Sequence, residues 1–203
     1  MKIIKTKNEK GFTTFVFEDS SESEKILSSL VFKLKIKKGD EISPEELNGI
    51  YLKSETVRAK KKAVYYLSRS SLNSGLLKEK LLKHFSENIA DIAVSFCTEH
   101  NFLNDEDYAK RLINTLILQN KSKNEIKQKL YYKKVDKLLA EGLLNSYEFN
   151  DYSAAENILY KKYGKKAVED KNKAITALMR KGFSYDTAKT VTEKYLNELE
   201  SIN

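Results

Sequence analysis

The side chains able to ligate a metal, attack a substrate or shuttle a proton are few in this sequence and stand apart. Its two histidines, His84 and His100, are distant from each other and from any serine or cysteine in a nucleophile signature. Cys97 is the single cysteine; metal sites need clustered ligands, whereas a lone thiol on an apolar helix face reads as a small buried hydrophobe. Asp105, Glu106 and Asp107 could pair as acid and base or hold magnesium. They follow Asn104 in the first turn of an expected helix, however, where carboxylates meet the positive end of the helix dipole. His84, beside Lys83, reads as a polar surface residue near a helix end whose ordinary titration range leaves a pH role open. All seven glycines are isolated, so no glycine-rich loop cradles a phosphate. No catalytic constellation, cofactor or metal is expected, and the chain reads as a non-enzyme.

The chemistry that remains is electrostatic. The net charge is +8, and its distribution is uneven. Lys and Arg against Asp and Glu number 11 to 10 in residues 1–58, 15 to 8 in 59–134 and 11 to 11 in 135–203, so the excess sits in the middle third. Lys121 to Lys134 alone hold six lysines against Glu125. Within "SKNEIKQKLYYKK", Ile126 and Leu130 are four apart and face a core, which leaves Lys123, Lys127 and Lys134 along one flank and Lys129 and Lys133 along another. A merely soluble face mixes both signs, so this helix suits a polyanion or an acidic partner. Tyr65, Tyr66, Tyr131 and Tyr132 adjoin these cations, where exposed rings could stack on bases. At helical spacing they read instead as core residues with the hydroxyl reaching solvent, one of each adjacent pair pointing inward.

The elements that must position this charge are mostly helices. One proline, seven glycines and abundant Leu, Lys, Glu and Ala leave few breaks. "KIIKTKNEKGFTTFVFE" alternates β-branched and aromatic residues with polar ones around Lys10-Gly11 and reads as a hairpin. "LVFKLKIKKGD" fits a third strand or a short helix, and "SPEEL" sets Ser43 as N-cap, Pro44 at the first helical position and Glu46 in a capping box. From Glu55 the chain repeats: "AVYYL", "AKRLI" and "AENIL" begin at Ala63, Ala109 and Ala155, 46 residues apart each time. A second run follows in each unit, "LLKEKLLKHF", "EIKQKLYYKKV" and "AITALMRKGF". Each unit is expected to hold three helices. The first has Glu55–Arg69, then helices capped by Ser74 and Ser86; the second has Ser122 and Glu125 as a capping box, and a short third helix from Val135 to about Leu144. At "LMRKGFSYDTAKTV", Gly182 ends a helix in the left-handed conformation, Phe183 returns to the core and Ser184 caps the next helix. "HFSE" at 84–87 and "KKVD" at 133–136 stand at the same corner.

The expected division is therefore 1–54 as hairpin plus short helix, followed by three-helix repeats at 55–104, 105–150 and 151–203. With 203 residues, 40% hydrophobic and 33% charged, one large core is not expected. One cysteine excludes an internal disulfide, no run reads as a secretory leader, and apolar stretches fall short of the roughly 20 residues that span a bilayer. A cytoplasmic protein without membrane attachment is expected.

These same segments, "AVYYLSRSSLNSGLLKEKLLKHF" with "FLNDEDYAKRLI", "KSKNEIKQKLYYKKV" and "LMRKGFSYDTAKTV", resemble the RecX family of recombination regulators over about residues 55–197. The resemblance implies a mainly α protein of tandem three-helix-bundle repeats in an elongated, curved arrangement, preceded by a small hairpin and helix. It implies a non-enzymatic protein, expected to be monomeric, that binds RecA filaments on DNA, lies along the filament groove and depresses filament growth, ATPase and strand exchange. Contact with the DNA itself would be to single strands, weak and non-specific. The candidate contacts are Arg69, Lys78, Lys83, Lys121, Lys123, Lys127, Lys133 and Lys134, with Arg180 and Lys181 in the last unit. Many relatives carry an arginine-rich second unit and a tryptophan in the joint before its second helix; this chain has no tryptophan and uses lysine almost throughout. Lysine lacks the planar fork of arginine, so bidentate contacts are fewer. Two rival readings are a stand-alone DNA-binding protein of helix-turn-helix type, which lacks a base-reading helix rich in Arg, Asn and Gln, and a helical-repeat adaptor for an unrelated protein.

Overall fold

The structure is a computed structural model and describes residues 1–163 and 170–200. Residues 164–169 and 201–203, part of the third expected repeat, lie outside the described residues. A hairpin of β1 (Ile3–Glu9) and β2 (Phe12–Phe17) turns on Lys10 and Gly11, both at positive φ, the requirement of the tight turn that matches strand twist. The short β3 (Ile26–Leu27) adds to β2 antiparallel, and Phe15, Phe17 and Ile26 face a small core under the sheet. The undecided segment resolves as helix: α1 (Ser28–Lys33) takes Leu30, Val31 and Phe32, and the third strand lies just ahead of it.

Helix α2 (Pro44–Arg69) starts at the expected capping box, with the Ser43 hydroxyl accepting from Glu46 N–H and the Glu46 carboxylate accepting from Ser43 N–H at 2.9 Å. It then runs without interruption for 26 residues, so the short helix after Ser43 and the helix expected from Glu55 are one. Gly49 is the only breaker inside it and is tolerated at a cost of about 1 kcal/mol. The first half of α2 supports the sheet through Leu47 and Ile50, and the buried Ser54 hydroxyl accepts from Leu27 N–H at 2.9 Å. The second half turns Ala59 and Ala63 into a separate core with α3 (Ser74–Leu82) and α4 (Glu87–Glu99). Asn73, one residue before the expected Ser74, caps α3 with its side-chain oxygen on Leu76 N–H. Asn is as good a cap as Ser, and the chain turns extended one residue earlier.

The next helices are α5 (Asp105–Leu118), α6 (Lys123–Tyr132) and α7 (Lys137–Ser146), then α8 (Asp151–Tyr163), α9 (Lys171–Arg180) and α10 (Tyr185–Glu200). Each triple surrounds its own core. Ala63, Ala109 and Ala155, the residues that opened the 46-residue repeat, are fully buried in all three, where helices approach too closely for a larger side chain. The third helix of the middle triple begins at Lys137 behind Asp136, whose carboxylate accepts from Leu139 N–H, two residues beyond the expected start. The described residues form two compact units, 1–103 and 104–203.

Five of the described helices end alike. Lys35, Asn101, Asn120, Lys134 and Gly182 adopt positive φ, and the next residue's N–H reaches back five positions to the carbonyls of Val31, Cys97, Leu116, Leu130 and Leu178. The Lys134 and Gly182 corners return Val135 and Phe183 to their cores, and the Ser184 hydroxyl accepts from Thr187 N–H at 3.1 Å. The corner at 84–87 differs: none of its residues has positive φ, and Phe85 N–H bonds the Leu81 carbonyl by an ordinary helical step. Cys97 is fully buried, and burial raises its thiol pKa. We therefore expect a thiol reagent at pH 8 to leave the folded protein unlabelled and to label it stoichiometrically in denaturant; fast labelling of native protein would refute the packing around α4.

Candidate functional site

The acids at 105–107 sit in the first turn of α5, as the dipole argument requires, with Glu106 paired to Lys110 at 2.6 Å and Asp107 to Arg111 at 3.0 Å. Among the described residues no group of His, Cys, Asp and Glu is placed to hold a metal ion, and no helix is long and apolar enough to cross a membrane.

On α6, Ile126 and Leu130 are fully buried, so both lysine flanks project from the opposite side. The capping box forms only in half: the Ser122 hydroxyl accepts from Glu125 N–H at 3.1 Å, while the Glu125 carboxylate turns to Lys121 Nζ at 2.8 Å. That pair takes Lys121 out of the cationic face and neutralises the one acid within it. Lys123 lies over the Phe149 ring at 5.3 Å, and Lys127 and Lys129 are exposed. Tyr131 and Tyr132 are 85% and 76% exposed, so neither ring enters the core. The expectation that one of two neighbours must point inward belongs to strands. On a helix they stand about 100° apart, and with Leu130 inward both can miss the core. The inward place after Leu130 is taken by Val135, delivered through the left-handed turn at Lys134.

The third repeat supplies the opposite wall. Ser122 is fully buried, and its hydroxyl also donates to the Lys181 carbonyl at 2.8 Å. Asp151 accepts from Lys123 N–H at 2.9 Å, and Asn157 donates to Asn120 at 3.0 Å, so the start of α6 is stitched to α8 and to the end of α9. These bonds bring Arg180 and Lys181 beside Gln128, Lys129, Tyr131 and Tyr132 around one groove. A single hydroxyl thus serves as N-cap and inter-repeat clamp. Ser122→Ala is expected to cost roughly 2 kcal/mol, from a lost cap and a buried carbonyl left unsatisfied, read as a lower urea midpoint at unchanged slope. No change in midpoint would refute the double role.

The remaining candidates lie in the first unit. Lys78 is engaged by Asp91 at 2.7 Å and Glu87 at 3.0 Å, and those hydrogen bonds raise its pKa. Arg69 lies over Tyr65 at 5.5 Å, and Lys83 is exposed. A grouping that spacing did not single out occurs beside them: Arg58, Lys61, Lys62, Tyr65 and His84 line a shallow groove with Phe85. Arg58 lies over the rings of Phe12 at 5.2 Å and Phe85 at 5.7 Å and is paired with the buried Glu55. The signal in the sequence was the run Lys60-Lys61-Lys62 ahead of two tyrosines.

Comparison with known proteins agrees with this architecture. The family profile described as RecX, third three-helix domain, matches residues 150–192. The chain is 36% identical over 180 residues to the regulatory protein RecX of Clostridioides difficile strain 630, covering 85% of this chain and 84% of that one. It is 28% identical over 202 residues to the regulatory protein RecX of Clostridium botulinum strain Eklund 17B, covering 96% and 94%. Among solved structures, a crystal structure of regulatory protein RecX matches with a TM-score of 0.63 at 19% identity, over 95% of this chain and 98% of that one. RecX from Lactobacillus salivarius matches with 0.59 at 23% identity, over 70% and 97%. These two likenesses speak for the fold. The first relative, alike over most of both chains, speaks for descent, and with the three-helix cores and their recurring corners it places this chain in the RecX family of regulatory proteins.

Proposed function

We propose that the chain regulates recombination without catalysis of its own, as a cytoplasmic monomer that binds RecA filaments on DNA and limits their growth, ATP hydrolysis and strand exchange. The carrying observation is the groove in which Lys129, Arg180 and Lys181, none of them ion-paired among the described residues, stand beside two exposed tyrosines on walls locked by Ser122. Such a surface attracts a polyanion and then adheres through its aromatic faces. The first unit carries a cationic–aromatic groove of its own around Lys61, Lys62 and Tyr65. A filament repeats its subunits and its phosphates, so each unit finds an equivalent contact and the second contact is made at high effective concentration. Lysine, a point charge on a flexible stem, suits attachment that does not depend on sequence.

The test adds the protein to RecA on single-stranded DNA with ATP. Hydrolysis falls with added protein, and filaments shorten under the electron microscope. Unaltered hydrolysis together with an unaltered length distribution removes the reading.

A further inference from the structure

The groove between α6 and the end of α9 has more specific chemistry than attraction to a filament requires. Tyr131 and Tyr132 expose 85% and 76% of their surface, and among the described residues neither ring stacks on another ring or makes a hydrogen bond. Both stand on the last turn of a helix anchored by Leu130 and closed by the Lys134 corner, so their backbone is held in place. Lys129 stands on the same turn, and Arg180 and Lys181 face it from the third repeat. Glu125, the acid on this groove, is already neutralised by Lys121 at 2.8 Å. Gln128, with both donors and an acceptor, is also at the groove.

We infer that this groove binds a short stretch of single-stranded nucleic acid, with bases stacked on Tyr131 and Tyr132 and the backbone phosphates on Lys129, Arg180 and Lys181. Ring faces meet bases only when the bases are unstacked, which selects single strand over duplex. An acidic peptide would satisfy the cations and leave both rings bare. With Lys129, Arg180 and Lys181 engaged by phosphates, Gln128 is the side chain left to read a base edge, so binding discriminates little by sequence. The inference rests on the reading that the chain works on DNA-bound filaments, and it gives the groove a contact with the strand that does not pass through RecA.

The chain has no tryptophan, so its own ultraviolet emission comes from its 12 tyrosines, and stacking of a base on Tyr131 or Tyr132 quenches that ring's share. Oligothymidylate titrated into the full chain without RecA is therefore followed by tyrosine emission and by anisotropy of a labelled strand. Tyr131→Ala with Tyr132→Ala weakens binding by about tenfold for each ring lost, at an unchanged salt slope. Tyr131→Phe with Tyr132→Phe keeps the affinity. Arg180→Glu with Lys181→Glu flattens the salt dependence. Both tyrosines are exposed, so melting temperature serves as the folding control. Equal affinity of the double alanine variant and wild type overturns the inference, as does a duplex bound as tightly as the single strand, or polyglutamate competing as well as oligothymidylate. If the alanine variant loses oligothymidylate but still depresses RecA hydrolysis, the strand site stands apart from the filament contact. If wild type binds the strand through these rings yet leaves RecA hydrolysis unaltered, the strand site survives and the regulatory reading fails.

Discussion

Gly182→Val is expected to destabilise the 104–203 unit by roughly 3 kcal/mol, the largest effect of any single substitution considered for this chain. Two causes add. Position 182 has φ +84°, where a side chain with a Cβ costs about 1–2 kcal/mol and a β-branched one lies at the upper end. A Cβ there would also stand 2.7 Å from Ser122 Oγ and 3.3 Å from Glu125 N, in the middle of the cap that starts α6 and clamps Lys181. Displacing that hydroxyl costs about 1 kcal/mol more. For a unit of this size the thermal midpoint should fall by on the order of 10–20 °C, with hydrogen exchange accelerated at the start of α6 and the end of α9. Gly182→Ala falls between glycine and valine. Gly182→Asn, which tolerates the left-handed region, relieves the conformational part and retains the collision, so an asparagine variant as damaged as alanine identifies the collision as dominant. A valine variant with a native midpoint would contradict the corner as described.

Reversing Lys127, Lys129, Arg180 and Lys181 to Glu together is expected to raise the concentration for half-maximal suppression of RecA hydrolysis at least about 100-fold at moderate salt. Each reversal removes two positive charges, so the four bring the chain's +8 to zero. A control must separate location from total charge. Lys5, Lys33, Lys35 and Lys38 in the amino-terminal region are exposed and lack ion pairs among the described residues, so their reversal gives the same net charge. The control is expected to keep most of its potency and to lose mainly association rate, because long-range attraction follows total charge while adhesion follows local contacts. Equal loss in both variants would show that the α6–α9 groove has no special part.

Much of this architecture could be read from local signals. Lys10-Gly11, the Ser43-Pro44-Glu46 box and the Gly182-Phe183-Ser184 corner each act over fewer than five residues, and each forms as expected. Ala63, Ala109 and Ala155 were legible because three helices closing on one core leave room for a methyl at the same place each time. What spacing could not supply was the meeting of distant segments. Arg180 and Lys181 reach α6 through a bond from Ser122 across 59 positions, which no period of 46 announces. Lys78 and Lys121, candidate contacts by charge alone, are ion-paired, Lys78 by Asp91 and Glu87 from another helix and Lys121 by Glu125. The tyrosine pair was misplaced for a different reason, since turning by 100° per residue lets two neighbours miss a narrow core together.

The 26 residues of α2 make a rod of about 39 Å that begins under the sheet and ends inside the first three-helix core. At its midpoint Arg58, held by Glu55, is wedged between Phe12 of the sheet and Phe85 of the bundle. Sheet and bundle therefore cannot pivot independently, and any grip on the hairpin becomes torque on the helices behind it. The amino-terminal module is thereby a handle on the first repeat, and removing it at a point inside the rod would leave that repeat with a shortened, frayed axle.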